Sequence, residues 1–511
     1  MSIDSNRIVK NSFFLYGRMI LVLVVSFYTA RIVLEVLGIN DYGVYFAVFS
    51  IIGILSFLNG ALSGSTSRFI TYELGSKNIN RLRTTFSTCF ITHLILGGII
   101  VLVAETIGLW YAQKVLVVEP NQHYSAMVVY QLSIIITFLT ILQVPFSAQI
   151  IAHEKMGIFA FFGIFEAVSK LAIVFILKYS SANKMILYGV LQLCVTCTLF
   201  GFYVIFNLIN YKETRTFRIF DKVIFKSMIK FSGWNVLANL SNALMNQGVI
   251  MLLNLFFVPA IVAAQNIANQ IATAASQFVN NIRQAINPQI IKLYAENKQE
   301  ESEILTLKSS EYLLYLLMLI GVPCILAMPR ILSIWLEEVP EMAVAFCRLM
   351  ILQVILDNFN AAFYVPMLAA NKISKNSILG GIICIFQFFV TWLLFHFNFG
   401  PLWARYMGIF SILMLSFIIK PYILIHDINY PFNKIISCIK HSIAVMFTVS
   451  LLNFILYLLI PQDTFVKSLI IVVVSVVLIL LISYLYIGRT ARRYFHQFIF
   501  DRISRLKPFK A

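Results

Sequence analysis

Apolar runs alternate with short polar breaks along the whole chain, and the lengths of those runs set the first reading. They stand at roughly 11–36, 42–64, 86–111, 126–152, 158–178, 185–210, 231–257, 260–287, 309–333, 343–369, 377–398, 402–424, 441–460 and 466–487. Each approaches the about 20 residues that a helix needs to cross a hydrocarbon core. The pattern predicts an all-α polytopic membrane protein with about fourteen transmembrane helices.

Two of the runs carry a polar stripe. In the seventh, Asn235, Asn239, Asn242 and Asn246 fall at i, i+4, i+7 and i+11, and in the eighth Asn266, Gln270, Thr273, Gln277, Asn280 and Gln284 keep the same helical rhythm. Lipid cannot satisfy a row of amides, so both stripes are expected to face protein or water. They are candidate contacts for a polar cargo.

The runs also echo one another. A shift of 220 positions lays Gly38, Tyr42, Arg68 and Gly75 on Val258, Val262, Pro288 and Ala295, and Val144-Pro145 and Val365-Pro366 hold similar places in later runs. The order predicts two pseudo-symmetric six-helix lobes, 1–210 and 231–424, joined by a basic linker at 211–230. Residues 425–487 add two helices and 488–511 form a basic tail. In the linker, Lys and Arg interleave with Phe, Ile and Val, as in an interfacial helix. A polar connector is expected at 65–85, and the Gly60/Gly64 spacing predicts close helix approach just before it.

Composition narrows the class. With 60% hydrophobic residues, 12% charged and a mean hydropathy of +0.86, the chain is not a water-soluble globule. Of its 39 Lys and Arg, 27 fall in the tails and alternate loops and only 6 in the intervening loops or at the run ends beside them. That bias predicts cytoplasmic termini, and contact with anionic lipid accounts for the net charge of +17 without nucleic acid.

Charges inside the runs carry the remaining information. Arg18 is either a cationic wall for an anionic headgroup or a side chain reaching to the surface. Arg31 and Glu35 stand i, i+4 and are expected to neutralise each other; Glu166 and Lys170 share that spacing, with a pairing role or a cavity role open. Arg283, beside Asn280 and Gln284, is a candidate cargo contact. Asp357, followed by Asn358 and Asn360, has no cation one turn away and is a coupling candidate unless another helix supplies a partner; Glu105 poses the same choice. Arg348 and Lys420, near run ends, are candidates for reaching to the surface. The seven cysteines are scattered, and Cys194-Val195-Thr196-Cys197 lies in an apolar run without other metal-ligand types, so neither a metal nor a cofactor is expected. Phosphate loops and hydrolase motifs are absent from the sequence, so the chain is read as a transporter and not an enzyme.

Four segments carry a family resemblance: Leu37-Gly38-Ile39-Asn40-Asp41-Tyr42-Gly43-Val44-Tyr45, Arg68-Phe69-Ile70-Thr71-Tyr72-Glu73-Leu74-Gly75, Ala152-His153-Glu154-Lys155-Met156 and Asn287-Pro288-Gln289-Ile290-Ile291-Lys292-Leu293-Tyr294. With the order of runs, they resemble the Wzx-type polysaccharide flippases of the multidrug/oligosaccharidyl-lipid/polysaccharide (MOP) exporter superfamily. The resemblance implies two lobes around a central cavity that opens alternately to each side. It implies an undecaprenyl-diphosphate-linked oligosaccharide as cargo, carried from the inner to the outer leaflet of the bacterial inner membrane for O-antigen or capsule. Polysaccharide polymerase and chain-length proteins are the implied partners, and Arg18 and Arg283 take the cargo role by location. A cation-coupled drug or metabolite exporter of the same superfamily is the alternative; against it, the first run holds no carboxylate except Glu35.

The orientation has a direct check. Cysteines placed at Asp41, Glu338 and Asp463 are expected to react with an impermeant thiol reagent on intact cells, and cysteines at Lys77 and Lys298 are not; labelling of the second pair reverses the topology.

Overall fold

In a computed structural model of the chain, described over residues 5–75, 78–215, 219–359, 361–370, 372–460 and 464–486, no strand occurs among the described residues. The helices are α1 (Ser5–Gly53), α2 (Ser56–Gly75), α3 (Ile79–Val103), α4 (Leu109–Lys114), α5 (His123–Ala152), α6 (Met156–Tyr179), α7 (Lys184–Asn210), α8 (Lys222–Ala243) and α9 (Val249–Phe256). They continue as α10 (Pro259–Ala295), α11 (Gln299–Trp335), α12 (Ala343–Phe359), α13 (Tyr364–Ala369), α14 (Ser374–His396), α15 (Trp403–Leu413), α16 (Lys420–His426), α17 (Phe432–Leu459) and α18 (Phe465–Tyr486). π-Helical turns join α3 to α4, α8 to α9 and α15 to α16. Among the described residues, eleven stretches of helix are long and apolar enough to cross a membrane. The helices outside that set include α2, α8 and α10, whose polar positions lower their hydropathy. The protein is a multi-pass membrane protein with an all-helical fold.

Two compact units make up the chain. The first holds residues up to 270 with 335–346 and 374–411, and its core gathers Ile70, Phe86, Phe146, Phe162, Tyr203 and Met228. The second holds 271–334, 347–373 and the chain from 412, with Leu307, Phe363, Met367, Ile423 and Ile435 at its centre. Helices α17 and α18 belong to it through Leu456 and Ile471, which pack on Leu326.

Within the first unit, α1 breaks at Gly38, where φ is 78° and ψ 164°, a backbone state open to glycine and costly for other residues. The related turn, Phe257–Val258, separates α9 from α10. The two turns meet: a Cβ on Gly43 would lie 2.0 Å from the Pro259 carbonyl oxygen, so only a bare backbone fits there.

Three expectations need correction. The connector expected at 65–85 is helical through Gly75 and again from Ile79. Its polar residues are absorbed by packing: Ser65 is buried, donates to the Leu62 carbonyl at 2.8 Å and accepts from Ser232 at 3.0 Å. Gly60, paired in sequence with Gly64, makes room for a side chain and not for a helix backbone, since the Asn239 amide oxygen lies 2.5 Å from where its Cβ would be, whereas Gly64 has open space. The linker at 211–230 is not a separate interfacial helix. It turns at Lys212–Arg215, its Ile219 and Asp221 amides donate to Ser87 and Thr88 at 2.9 and 3.0 Å, and from Lys222 it is already the first turn of α8, capped by Asp221. The basic tail at 488–511 lies outside the described residues.

At the end of α5 a polar clasp ties this helix to the linker. Gln149 donates to Glu213 Oε1 at 2.7 Å, His153 Nε2 lies 2.8 Å from the same oxygen, and the His153 ring stacks on Tyr211 at 4.1 Å. Burial pushes the Glu213 carboxyl up, but bonds from His153, the backbone and Gln149, with the field of His153, outweigh it and hold the carboxyl below its ordinary range. The folded chain therefore favours the carboxylate. The clasp stabilises the protein above the ordinary value of 4.5 and loses that contribution as the pH falls through the lower folded value. Melting temperatures of the natural protein and Glu213→Gln are expected to differ at pH 7 and to converge below 4.5; a gap that ignores pH would show that the charge contributes nothing.

Candidate functional site

A cavity of about 530 Å³ opens within the first unit among α1, α5, α6, α7 and α10. Its charged members are Arg18 from α1 and Glu166 and Lys170 from α6, and its amides are Gln192 and Gln270. Tyr42, Tyr45 and Tyr188 add aromatic wall, with Tyr45 and Tyr188 4.7 Å apart. This volume lies in the range of small-molecule sites, and rings with amides and charges suit a polyhydroxylated or phosphorylated ligand.

One face of α6 builds the charged side. Phe159, Gly163, Glu166 and Lys170 recur at i, i+4, i+7 and i+11 and so share a stripe. The Arg18 guanidinium lies 4.5 Å from the Phe159 ring centroid, a cation–π contact that compensates part of its lost hydration. Below it, Gly163 supplies a flat seat: a Cβ there would lie 2.0 Å from Arg18 Nε and 2.6 Å from Cζ. Among the described residues no carboxylate pairs with Arg18. Glu166, by contrast, is spent on Lys170 at 2.7 Å. Charges therefore sum to one uncompensated cation in the cavity, and the Tyr203 hydroxyl stands in the fields of both Arg18 and Glu166.

The amide stripes divide in their uses. Gln270 donates to Tyr42 at 2.9 Å and lines the cavity, while buried Asn266 donates to the Val262 carbonyl of its own helix. Asn246 donates to the Asn242 carbonyl, and both residues are exposed. Gln277 is half-buried in the second unit. The side chains of Asn235 and Gln284 lie outside the described ones.

Arg283 belongs to a different group. In the second unit it donates to Asn280 at 3.2 Å and is drawn electrostatically to Asp357, which also acts on half-buried Lys420. The partners of Asp357 thus come from α10 and α16, beyond the one-turn reach of its own helix. Glu105 accepts from Gln131 at 3.2 Å.

Two charges behave otherwise than their spacing suggests. Arg31 and Glu35 do not neutralise each other: Arg31 lies 3.7 Å from Glu337, and Glu35 lies 3.6 Å from Lys178. Each finds its partner on a neighbouring segment, which i, i+4 spacing cannot reveal. Arg348 does not reach for the surface. Pro329 has no N–H to give the Ile325 carbonyl four residues earlier, and Arg348 Nε donates to that oxygen at 2.9 Å. Sequence reasoning also missed Phe159 and Gly163, although their spacing from Glu166 and Lys170 was readable as one stripe.

The seat makes a separable prediction. Gly163→Ala must displace the guanidinium from Phe159, whereas Gly201→Ala, where no atom lies within 4 Å of the new methyl, must not. Fold stability being similar, Gly163→Ala is expected to lower cargo binding about as much as Arg18→Ala, and Gly201→Ala to leave it unchanged. Binding measured on the purified protein decides it, and natural affinity in Gly163→Ala would refute the seat.

No family model matches the sequence, and no curated protein does. Solved structures do match over nearly the whole chain. Lipid II flippase MurJ in an inward closed conformation aligns at 13% identity and a TM-score of 0.65, covering 94% of this chain and 98% of its own. An inward-facing multidrug resistance MATE family transporter of the MOP superfamily aligns at 14% identity and 0.60, covering 78% and 93%. A MOP superfamily transporter from Pyrococcus furiosus gives 13%, 0.53, 78% and 94%. At such identities the likeness is one of fold, and the fold of this chain is that of the MOP transporters.

Proposed function

We propose that the protein is a Wzx-type flippase that moves an undecaprenyl-diphosphate-linked oligosaccharide from the inner to the outer leaflet of a bacterial inner membrane, for O-antigen or capsule. The observation that carries this reading is the uncompensated Arg18 in a cavity whose other charges cancel. Such a site favours an anion. A diphosphate leaving water loses several kcal/mol of solvation unless cations and donors replace it, and a guanidinium offers a bidentate fork for phosphate oxygens. Sugar hydroxyls find their partners in Gln192, Gln270 and the tyrosines, and the polyprenyl tail stays in lipid.

Coverage supports the same side. The likeness to the lipid flippase spans 94% of the chain, against 78% for the drug transporter. In this reading lobes 1–210 and 231–424 alternate between two states with both termini in the cytoplasm, Arg283 is a second cargo contact, and Asp357 couples the cycle to an ion gradient. A polymerase and chain-length proteins take the product outside.

Proteoliposomes provide the test. Purified protein is expected to translocate a lipid-diphosphate sugar and not a fluorescent cation; the reverse result assigns it to the exporters. Arg18→Ala and Arg283→Ala should each slow translocation about tenfold or more, the scale of one lost charge-assisted contact. Lysine should restore part, since it keeps charge without the fork. Undiminished export in the double alanine variant removes the cationic cavity from the mechanism.

A further inference from the structure

The first turns of α8 break two electrostatic rules at once. Lys222, Lys226 and Lys230 stand i, i+4 and i+8, so like charges face one another along the helix. Lys222 also occupies the first helical turn, where the backbone dipole disfavours cations. All three are exposed, and among the described residues none pairs with a carboxylate. The neighbouring acid, Asp221, is already used as the cap, accepting from the Val223 and Ile224 amides at 2.7 and 3.1 Å. The arrangement is unfavourable in the isolated chain, and an anion from outside it would relieve both conflicts.

Helix geometry says where that anion comes from. At about 100° per residue, the three lysines fall within about 80° of one another, and Ile224, Met228, Asn239 and Asn242 fall on the opposite side. Met228 is fully buried against Phe86 and Phe146, and Ile224 packs on the same core. The lysine side therefore points away from the body of the unit. Its apolar neighbours are Val223, 74% exposed, and Ile229, 45% exposed, and the apolar run begins one residue after Lys230. Ammonium groups flanked by bare aliphatic side chains at the start of a span fit the boundary between headgroups and acyl chains. Bonds from Ile219 and Asp221 to Ser87 and Thr88 hold this turn on α3, so the stripe is presented by a fixed backbone.

We propose that Lys222, Lys226 and Lys230 form a binding site for the phosphate of an anionic phospholipid in the leaflet where α8 begins. The site lies on the lipid side of α8, opposite the amides, and is independent of the cargo. Occupancy cancels both the dipole conflict and the mutual repulsion of the lysines.

The test compares the full-length protein with the triple variant Lys222→Gln, Lys226→Gln, Lys230→Gln, and with the triple Lys→Arg variant as a control for folding. Each is placed in nanodiscs of phosphatidylcholine alone or of phosphatidylcholine with phosphatidylglycerol. The natural protein and the Arg variant are expected to retain phosphatidylglycerol through purification, and the Gln variant about a hundredfold less, the scale of about 1 kcal/mol for each of three lysines near a charged surface. Melting order should cross over. In neutral lipid the Gln variant, relieved of repulsion, melts higher; in anionic lipid the natural protein does. Equal retention by all three proteins, or a melting order that does not depend on lipid, overturns the proposal, the latter outcome pointing to an acidic protein as the partner of the stripe.

Discussion

Hydrocarbon offers no hydrogen bonds, and at two departures from regular helix this chain supplies the missing partners from within. Pro329 frees the Ile325 carbonyl, and Arg348 takes it up while its guanidinium lies 5.5 Å from the Tyr457 ring of α17. The irregular stretch after α4 is met by Asn254 of α9, whose side chain accepts from the Val117 amide at 3.1 Å and donates to the Val117 carbonyl at 3.2 Å. Polar side chains in the apolar runs therefore first have a structural explanation, and only those left over after such accounting remain candidates for cargo contact.

Arg18 is left over. Aromatic contact on one face and bare backbone at Gly163 compensate it in part, but neither supplies a hydrogen-bond acceptor or a negative charge. Glu166 lies three residues from Gly163 on the same stripe and is held by Lys170 instead. A carboxylate bound to its own helix leaves the guanidinium available, and the cavity keeps one net positive charge. The second unit is organised differently: Asp357 acts on two cations, Arg283 and Lys420, so that group carries its counter-ion with it.

Periodicity made the helices readable, because lipid imposes length and apolarity on nearly every span. It also showed the amide stripes and the Glu166–Lys170 pair, both products of local spacing. What it could not show are contacts between distant segments: Glu337 opposite Arg31, Lys178 opposite Glu35, and Phe159 under Arg18. Run ends were misplaced for a related reason. Helix α2 continues past residue 64, and α8 starts at Lys222 instead of 231, because buried serines and capped, tethered turns extend helices through sequence that hydropathy alone reads as loop.

Apolarity and function pull against each other in α8 and α10. Both fall outside the set apolar enough to cross a membrane by composition, and both carry the amide rows. A span lined with donors and acceptors on one side is unstable alone in lipid, so its place depends on neighbours that cover the polar side. In the seventh run the covering includes Gly60, which leaves space for the Asn239 amide of α8, and Gly53, whose Cβ position lies 3.0 Å from the Gln247 side chain in the turn after α8. The glycines of the second run are thus the complement of the amides of the seventh. Substituting either side alone leaves a polar group without room or a cavity without a polar group, which ties the second run to the seventh.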